Sequence, residues 1–213
     1  MYSFFFKRVI DLIISITGII LLWPLFLIIG ILIKCESEGP IFFNQERIGK
    51  NGKVFKIHKF RSMYVNAEKL GVYSNNRDKR VTKIGRILRM TSLDEIPQLL
   101  NMFVGDMSLI GPRPPLTYHP WTFDEYTEEQ KHMFDVRPGL TGWAQIHGRK
   151  DVEWNKRIEL NVWYANNVSF LLDLKIFFIT IIKVISNADN ENVQKTVVLD
   201  EKSQGTDRDV LLK

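Results

Sequence analysis

Asp94 and Glu95 stand side by side in Thr91-Ser92-Leu93-Asp94-Glu95-Ile96-Pro97-Gln98, with Arg86 and Arg89 upstream and Arg113 downstream in Gly111-Pro112-Arg113-Pro114-Pro115. Adjacent carboxylates repel one another, so a bound cation or guanidinium groups must offset their charge. That layout suits phosphates, as in a metal-assisted phosphoryl site. The prolines hold Arg113 in an extended loop, and one rigid guanidinium favours bidentate contact with phosphate oxygens. A plain structural reading fits the same residues. Ser92 is a good helix N-cap, Glu95 three residues later completes a capping box, and acidic groups suit a helix N-terminus.

Other basic residues are candidates to complete an anion pocket. Lys59 and Arg61 emerge at the end of a predicted strand, Val54 to Phe60, where they could equally be solvated edge charges. Arg137 opens Arg137-Pro138-Gly139-Leu140-Thr141-Gly142, a glycine-rich loop whose backbone amides could approach a ligand, though it matches neither a P-loop nor a dinucleotide fingerprint. The four histidines are scattered and the single cysteine, Cys35, rules out an internal disulfide and fits a reducing compartment.

The elements around these residues read as follows. Ile41 to Ile48 and Val54 to Phe60 form a β-hairpin across Gly49-Lys50-Asn51-Gly52. Gly71 to Lys83 is a polar loop, and Ile84 to Met90 is a short helix carrying Arg86 and Arg89 on one face. Ile96 to Met107 is an apolar helix, Thr122 to Met133 an acidic surface helix, and Asp151 to Asn166 an amphipathic one. Ser169 to Ile185, interrupted by Asp173 and Lys175, reads either as an interfacial helix or as a buried core helix. Ser186 to Lys213 is a polar tail.

From Leu12 to Ile33 no residue is charged, and Lys7, Arg8 and Lys34 flank the run. Its length allows it to cross a bilayer. Pro24 lies near its middle, cannot donate to Ile20, and should kink or break the helix. Each leg of ten to twelve residues, at about 1.5 Å per residue, covers roughly half of a ~30 Å hydrocarbon core. That suggests a re-entrant hairpin entering and leaving by one face, and basic residues at both ends favour the cytoplasmic side. A straight span is the competing reading.

The chain has 213 residues, a formal charge of +5, 45% hydrophobic and 12% aromatic residues. These values exclude global disorder and point to an acidic partner such as nucleic acid, anionic lipid or a phosphorylated small molecule. The basic residues are dispersed among Pro/Gly loops with no stacking platform, which disfavours nucleic acid.

In order along the chain, Lys7-Arg8 with Asp11, Gly39-Pro40, Lys59-Phe60-Arg61-Ser62-Met63, Ser92-Leu93-Asp94-Glu95-Ile96-Pro97-Gln98, Gly111-Pro112-Arg113-Pro114 and Arg137-Pro138-Gly139-Leu140-Thr141-Gly142 resemble the bacterial sugar transferases known as monotopic polyprenyl-phosphate phosphoglycosyl transferases. The likeness runs over roughly residues 1 to 185. It implies transfer of a sugar phosphate from a UDP-sugar to polyprenyl (undecaprenyl) phosphate at the cytoplasmic face of the bacterial cell membrane, releasing UMP and initiating capsule, exopolysaccharide or glycoprotein synthesis. The resemblance makes Asp94 the nucleophile that forms a phosphosugar intermediate, Glu95 the Mg²⁺ ligand, and Lys59, Arg89 and Arg113 substrate-phosphate contacts. Arg61 and Arg137 are added from their positions. Related hairpins often carry Ser-Pro at the break, where this chain has Trp23-Pro24.

The expected fold is therefore α+β and mostly helical, with a re-entrant membrane hairpin over 1–38, a compact cytoplasmic catalytic domain with a small antiparallel β-hairpin and interfacial helices over 39–185, and a tail over 186–213. The expected partners are UDP-sugar, polyprenyl phosphate and membrane lipids, with exposed aromatic helices available for a homodimer. The competing functions are a membrane-anchored glycosyltransferase releasing UDP and a non-catalytic basic membrane-binding module.

Overall fold

The computed structural model describes residues 2–67, 78–148 and 153–186; the tail and the loop residues 71–77 lie outside that range. The chain is mostly helical α+β. Helix α1 (Lys7–Glu36) follows a π-helical turn at Tyr2–Phe6, and strands β1 (Phe42–Ile48) and β2 (Val54–Phe60) form an antiparallel hairpin with Gln45 opposite Ile57. Next come α2 (Lys83–Met90), a 3-10 turn (Leu93–Glu95), α3 (Gln98–Val104), β3 (Ser108–Ile110), α4 (Glu128–Lys131), β4 (Gly139–Thr141), α5 (Trp143–Ile146), α6 (Trp154–Asn166) and α7 (Phe170–Ile185). The expected acidic helix at 122–133 is instead broken into short turns, because Thr122 and Thr127 each form a capping box and restart the chain.

Pro24 sits inside α1, which continues through it as a single helix rather than breaking into two legs. Proline removes one backbone donor, and the turns on either side still hold their own hydrogen bonds. Both ends of α1 reach the same body. At the start, Arg8 donates to the Met102 and Phe103 carbonyls of α3, and Asp11 accepts from Ser108 Oγ and the Leu109 amide of β3. At the finish, the Glu36 carboxylate accepts from the Lys83 and Ile84 amides, satisfying free donors at the start of α2. Between these ends, Ile14, Ile19 and Leu22 pack on a core of Phe55, Ile57, Leu99, Met102 and Met107, and Leu25 and Phe26 on one built from Ile29, Ile33, Phe60 and Leu88. Each fully buried Ile, Leu or Phe there stabilises the fold by roughly 1.5–3 kcal/mol.

The opposite side of α1 is apolar and exposed, with Ile20, Leu21, Trp23, Leu27 and Ile31 open to the surroundings. Only 17% of its most apolar stretch is buried, unlike the core helix of a soluble protein. Helix α7 repeats this arrangement. Ile176 and Asp173 face inward, while Phe170, Leu171, Phe178 and Ile182 remain exposed.

The polar residues that interrupt these apolar helices meet one another. The Asp173 carboxylate of α7 accepts from Tyr2, Lys7 and Tyr164, and the Tyr164 hydroxyl lies 3.3 Å from the Ile110 carbonyl. A buried carboxylate and ammonium are tolerable because each is paired and hydrogen-bonded.

Candidate active site

Strand β2, the 3-10 turn and the loop after β3 deliver the site. The buried Asn101 of α3 imitates a strand edge, its Oδ1 accepting from the His58 amide at 2.9 Å and its Nδ2 donating to the Lys56 carbonyl at 2.8 Å. This lock sets β2 against the segment from Leu93 to Val104, and Lys59 emerges beside Glu95. Lys59 Nζ lies 2.7 Å from Glu95 Oε1, and Arg113 Nη2 lies 3.2 Å from the same oxygen.

Arg113 is presented by an unusually close backbone crossing. Strands β3 and β4 run parallel, pairing Ser108 with Gly139 and Ile110 with Thr141. A Cβ on Gly139 would lie 2.0 Å from the Gly111 amide nitrogen, and one on Gly142 would lie 2.0 Å from the Gly111 carbonyl oxygen. Only glycine fits such an approach. The loop then turns through Pro112, and the Pro114 carbonyl accepts from Arg47 Nη1 at 3.0 Å.

The capping reading of the carboxylates does not hold. Ser92 adopts a left-handed conformation with φ 57° and makes no side-chain cap, and Glu95 points to Lys59 and Arg113. α3 itself starts only at Gln98, behind Pro97. The two carboxylates have opposite environments. Burial would push the Glu95 carboxyl up, but Lys59 and Arg113 outweigh it and hold it well below the usual carboxylate range. For Asp94, burial dominates; with the added repulsion of Glu95 it keeps the carboxyl above its ordinary value despite Lys59, Arg89 and Arg113. Asp94 makes no hydrogen bond or ion pair with the described residues, so its oxygens are available to a ligand. A carboxylate raised in this way is the more basic of the two and the better nucleophile.

The structure gathers the proposed cations unevenly. Lys59 and Arg113 border the pair directly. Arg89 is half-buried and donates to Ser62 Oγ at 2.9 Å, close enough to Asp94 to be among the charges acting on it. Arg86, expected on the same face, is exposed. Arg61 and Arg137 belong elsewhere. The buried Arg61 donates to the Ser37 and Glu38 carbonyls just beyond α1, and Arg137 Nε donates to the Gly105 carbonyl beyond α3. Both satisfy carbonyls left open by a helix end.

Two residues that sequence reasoning passed over border the site. Arg47 and Gln98 line a small recess with Lys59, Arg113 and Pro114. Gln98 carried a signal, since it lies three residues past Glu95 along the same turn of chain. Arg47 carried none, because its closeness to Arg113 comes from the contact between the β-hairpin and the proline loop.

Mg²⁺ is commonly held by one or two carboxylates together with substrate phosphates, and the Glu95 carboxylate would be the protein ligand here. No cluster of three metal-binding side chains occurs among the described residues, so such an ion would need substrate oxygens to complete its shell.

The exposed apolar side of α1 fits membrane association, and comparison with known proteins gives the family. The bacterial sugar transferase profile matches residues 2–187, and the chain belongs to that family. An uncharacterized sugar transferase of Bacillus subtilis strain 168, EpsL, is 42% identical over 196 residues, covering 89% of this chain and 91% of its own. The UDP-glucose:undecaprenyl-phosphate glucose-1-phosphate transferase of Klebsiella pneumoniae is 41% identical over 189 residues, 85% of this chain and 40% of that protein. The UDP-N-acetylgalactosamine-undecaprenyl-phosphate N-acetylgalactosaminephosphotransferase of Aeromonas hydrophila is 41% identical over 186 residues, 85% of this chain and 44% of that protein. The chain thus spans less than half the length of these last two relatives.

Proposed function

We propose that the chain is a phosphoglycosyl transferase that moves a sugar phosphate from a UDP-sugar to undecaprenyl or a related polyprenyl phosphate, releasing UMP. The observation that carries this reading is a half-buried Asp94 with no hydrogen bond or ion pair among the described residues, beside a Glu95 fixed by Lys59 and Arg113. Relatives named for this transfer support it.

In the first step an Asp94 carboxylate oxygen attacks the sugar-bearing phosphorus, and the bond to the bridging diphosphate oxygen breaks. UMP leaves with that electron pair, and the sugar phosphate stays on Asp94 as an acyl phosphate. In the second step an oxygen of polyprenyl phosphate attacks the same phosphorus, freeing the Asp94 carboxylate and leaving a polyprenyl diphosphate sugar. Splitting one displacement into two is the benefit of covalent catalysis. Lys59, Arg89 and Arg113 neutralise and orient the phosphoryl oxygens. Mg²⁺, held by Glu95 and substrate oxygens, supplies further charge neutralisation when bound.

The lipid acceptor fits the exposed apolar sides of α1 and α7, on which the protein would rest at the cytoplasmic leaflet. The contacts at both ends of α1 argue against a straight span, because one body serves both ends; a re-entrant course would have α1 bend at Pro24 without losing its helix. Labelling of cysteines placed in the first six residues from outside the cell tests this, and strong labelling overturns it. For the reaction, purified protein in nanodiscs is offered a panel of UDP-sugars with and without polyprenyl phosphate. UMP released only with Mg²⁺ and an intact Asp94 is expected. Release of UDP makes the protein a glycosyltransferase.

A further inference from the structure

The recess beside the carboxylates is lined by side chains with donors that find no partner among the described residues. Gln98 is 2% exposed, and its Nε2 has no hydrogen-bond partner among the described residues; neither has the buried Nε of Arg47. Leaving a buried donor unmatched costs about 1–3 kcal/mol, so such groups normally face a ligand or water. Lys59 and Arg113 line the same recess, which is therefore surrounded by donors and cations. Arg47 also feels the excess positive charge. Burial and then the neighbouring Arg113 lower its pKa to about 10, with Glu95 acting in the opposite direction. With Ile57, Pro114 and Gly139 completing its wall, the recess of about 10 Å³ has room for roughly one water-sized group, so it suits a single negatively charged acceptor oxygen.

Its position indicates which ones. Asp94 and Glu95 do not line it, whereas Arg113 borders it and also contacts Glu95. A diphosphate with its sugar-bearing phosphate at Asp94 would place its second phosphate on the other side of the same guanidinium. We propose that Arg47 and Gln98, with Lys59 and Arg113, form a subsite that binds the phosphate of the leaving nucleoside monophosphate. The inference rests on the transferase reading. It adds that the subsite holds the phosphate opposite Asp94: that of UMP as it leaves in the first step and, because the acceptor attacks from the same side, that of polyprenyl phosphate in the second.

The test uses full-length protein in nanodiscs with UMP as the probe, so the binding measurement needs no turnover. Gln98→Met keeps the shape and removes the donor, and Arg47→Lys removes Nε while retaining a cation. Melting temperatures confirm that each variant folds. A hydrogen bond to a charged group is worth about 1.5–3 kcal/mol, so each variant should bind UMP roughly tenfold or more weaker. Transfer from preformed phosphosugar enzyme to polyprenyl phosphate should slow as well, because the attacking phosphate takes the position UMP vacated. UMP affinity within twofold of wild type in both variants overturns the subsite and leaves a water-filled recess. Wild-type protein that binds UMP but releases only UDP refutes the transferase reading, while the variants' UMP affinities still decide the subsite.

Discussion

Replacing Lys59 by methionine tests the arrangement on which the chemistry depends. Lys59 Nζ donates to Glu95 Oε1 at 2.7 Å, with side chains 15% and 22% exposed, so the pair is largely but not fully desolvated. A hydrogen bond between charged groups contributes about 1.5–3 kcal/mol. Arg113 remains 3.2 Å from the same oxygen, which places the expected loss at the lower end, about 1.5–2 kcal/mol. For a domain of this size that lowers Tm by roughly 3–8 °C. The variant should remain folded. Lys59 is also the foremost of the charges that hold the Asp94 carboxyl down against burial, so its removal should push that carboxyl further up. In the proposed mechanism nucleotide release requires ionised Asp94, and the acid limb of its pH profile should therefore move to higher pH. Single-turnover UMP release across pH, read beside a melting curve, measures both effects. An acid limb that stays in place or moves to lower pH would refute the coupling between Lys59 and Asp94, whatever the stability change.

Asp94→Asn should abolish transfer and raise Tm at neutral pH. The folded carboxyl holds its proton more tightly than the unfolded chain does, so ionised Asp94 opposes folding above its folded pKa, and that cost fades as pH falls to the unfolded value. Melting curves of wild type and variant should accordingly converge on acidification; a variant that melts lower at pH 7 contradicts this. Arg61→Met should cost about 2–4 kcal/mol through the stranded Ser37 and Glu38 carbonyls without weakening UMP binding, as denaturant titration and UMP affinity will show. Gly142→Ala, with its Cβ set 2.0 Å from the Gly111 carbonyl oxygen, should destabilise by at least about 2 kcal/mol and reduce UMP release by displacing Arg113.

The β-hairpin, α2, α6 and α7 were legible because each has a clear period and recognisable ends. The β3–β4 pair was not. Three residues per strand carry no alternation, and the evidence for the pair is the glycine crossing at 111, 139 and 142, which only becomes visible once the backbones meet. Lys59, Asp94, Glu95 and Arg113 could be read as a group because local motifs frame them. Arg61 and Arg137 lie in equally basic motifs, and sequence cannot show that a guanidinium is turned toward a helix end. Asp173 looked like an interruption in an apolar helix, yet it is the partner of Lys7, more than 160 residues away in sequence.

The network around Asp11, Lys7, Tyr164 and Asp173 has a consequence for how the protein is made. It joins the first turns of α1 to β3, and β3 leads directly into the loop that carries Arg113. Cutting the chain before residue 37 to obtain a soluble enzyme would take Asp11 from Ser108, leave Asp173 with Tyr164 but without Tyr2 and Lys7, and expose the faces of Phe60, Leu99 and Met102. The apolar helix is therefore part of the catalytic body as well as its apolar surface: the loop that carries Arg113 is braced through β3 by the first turns of α1.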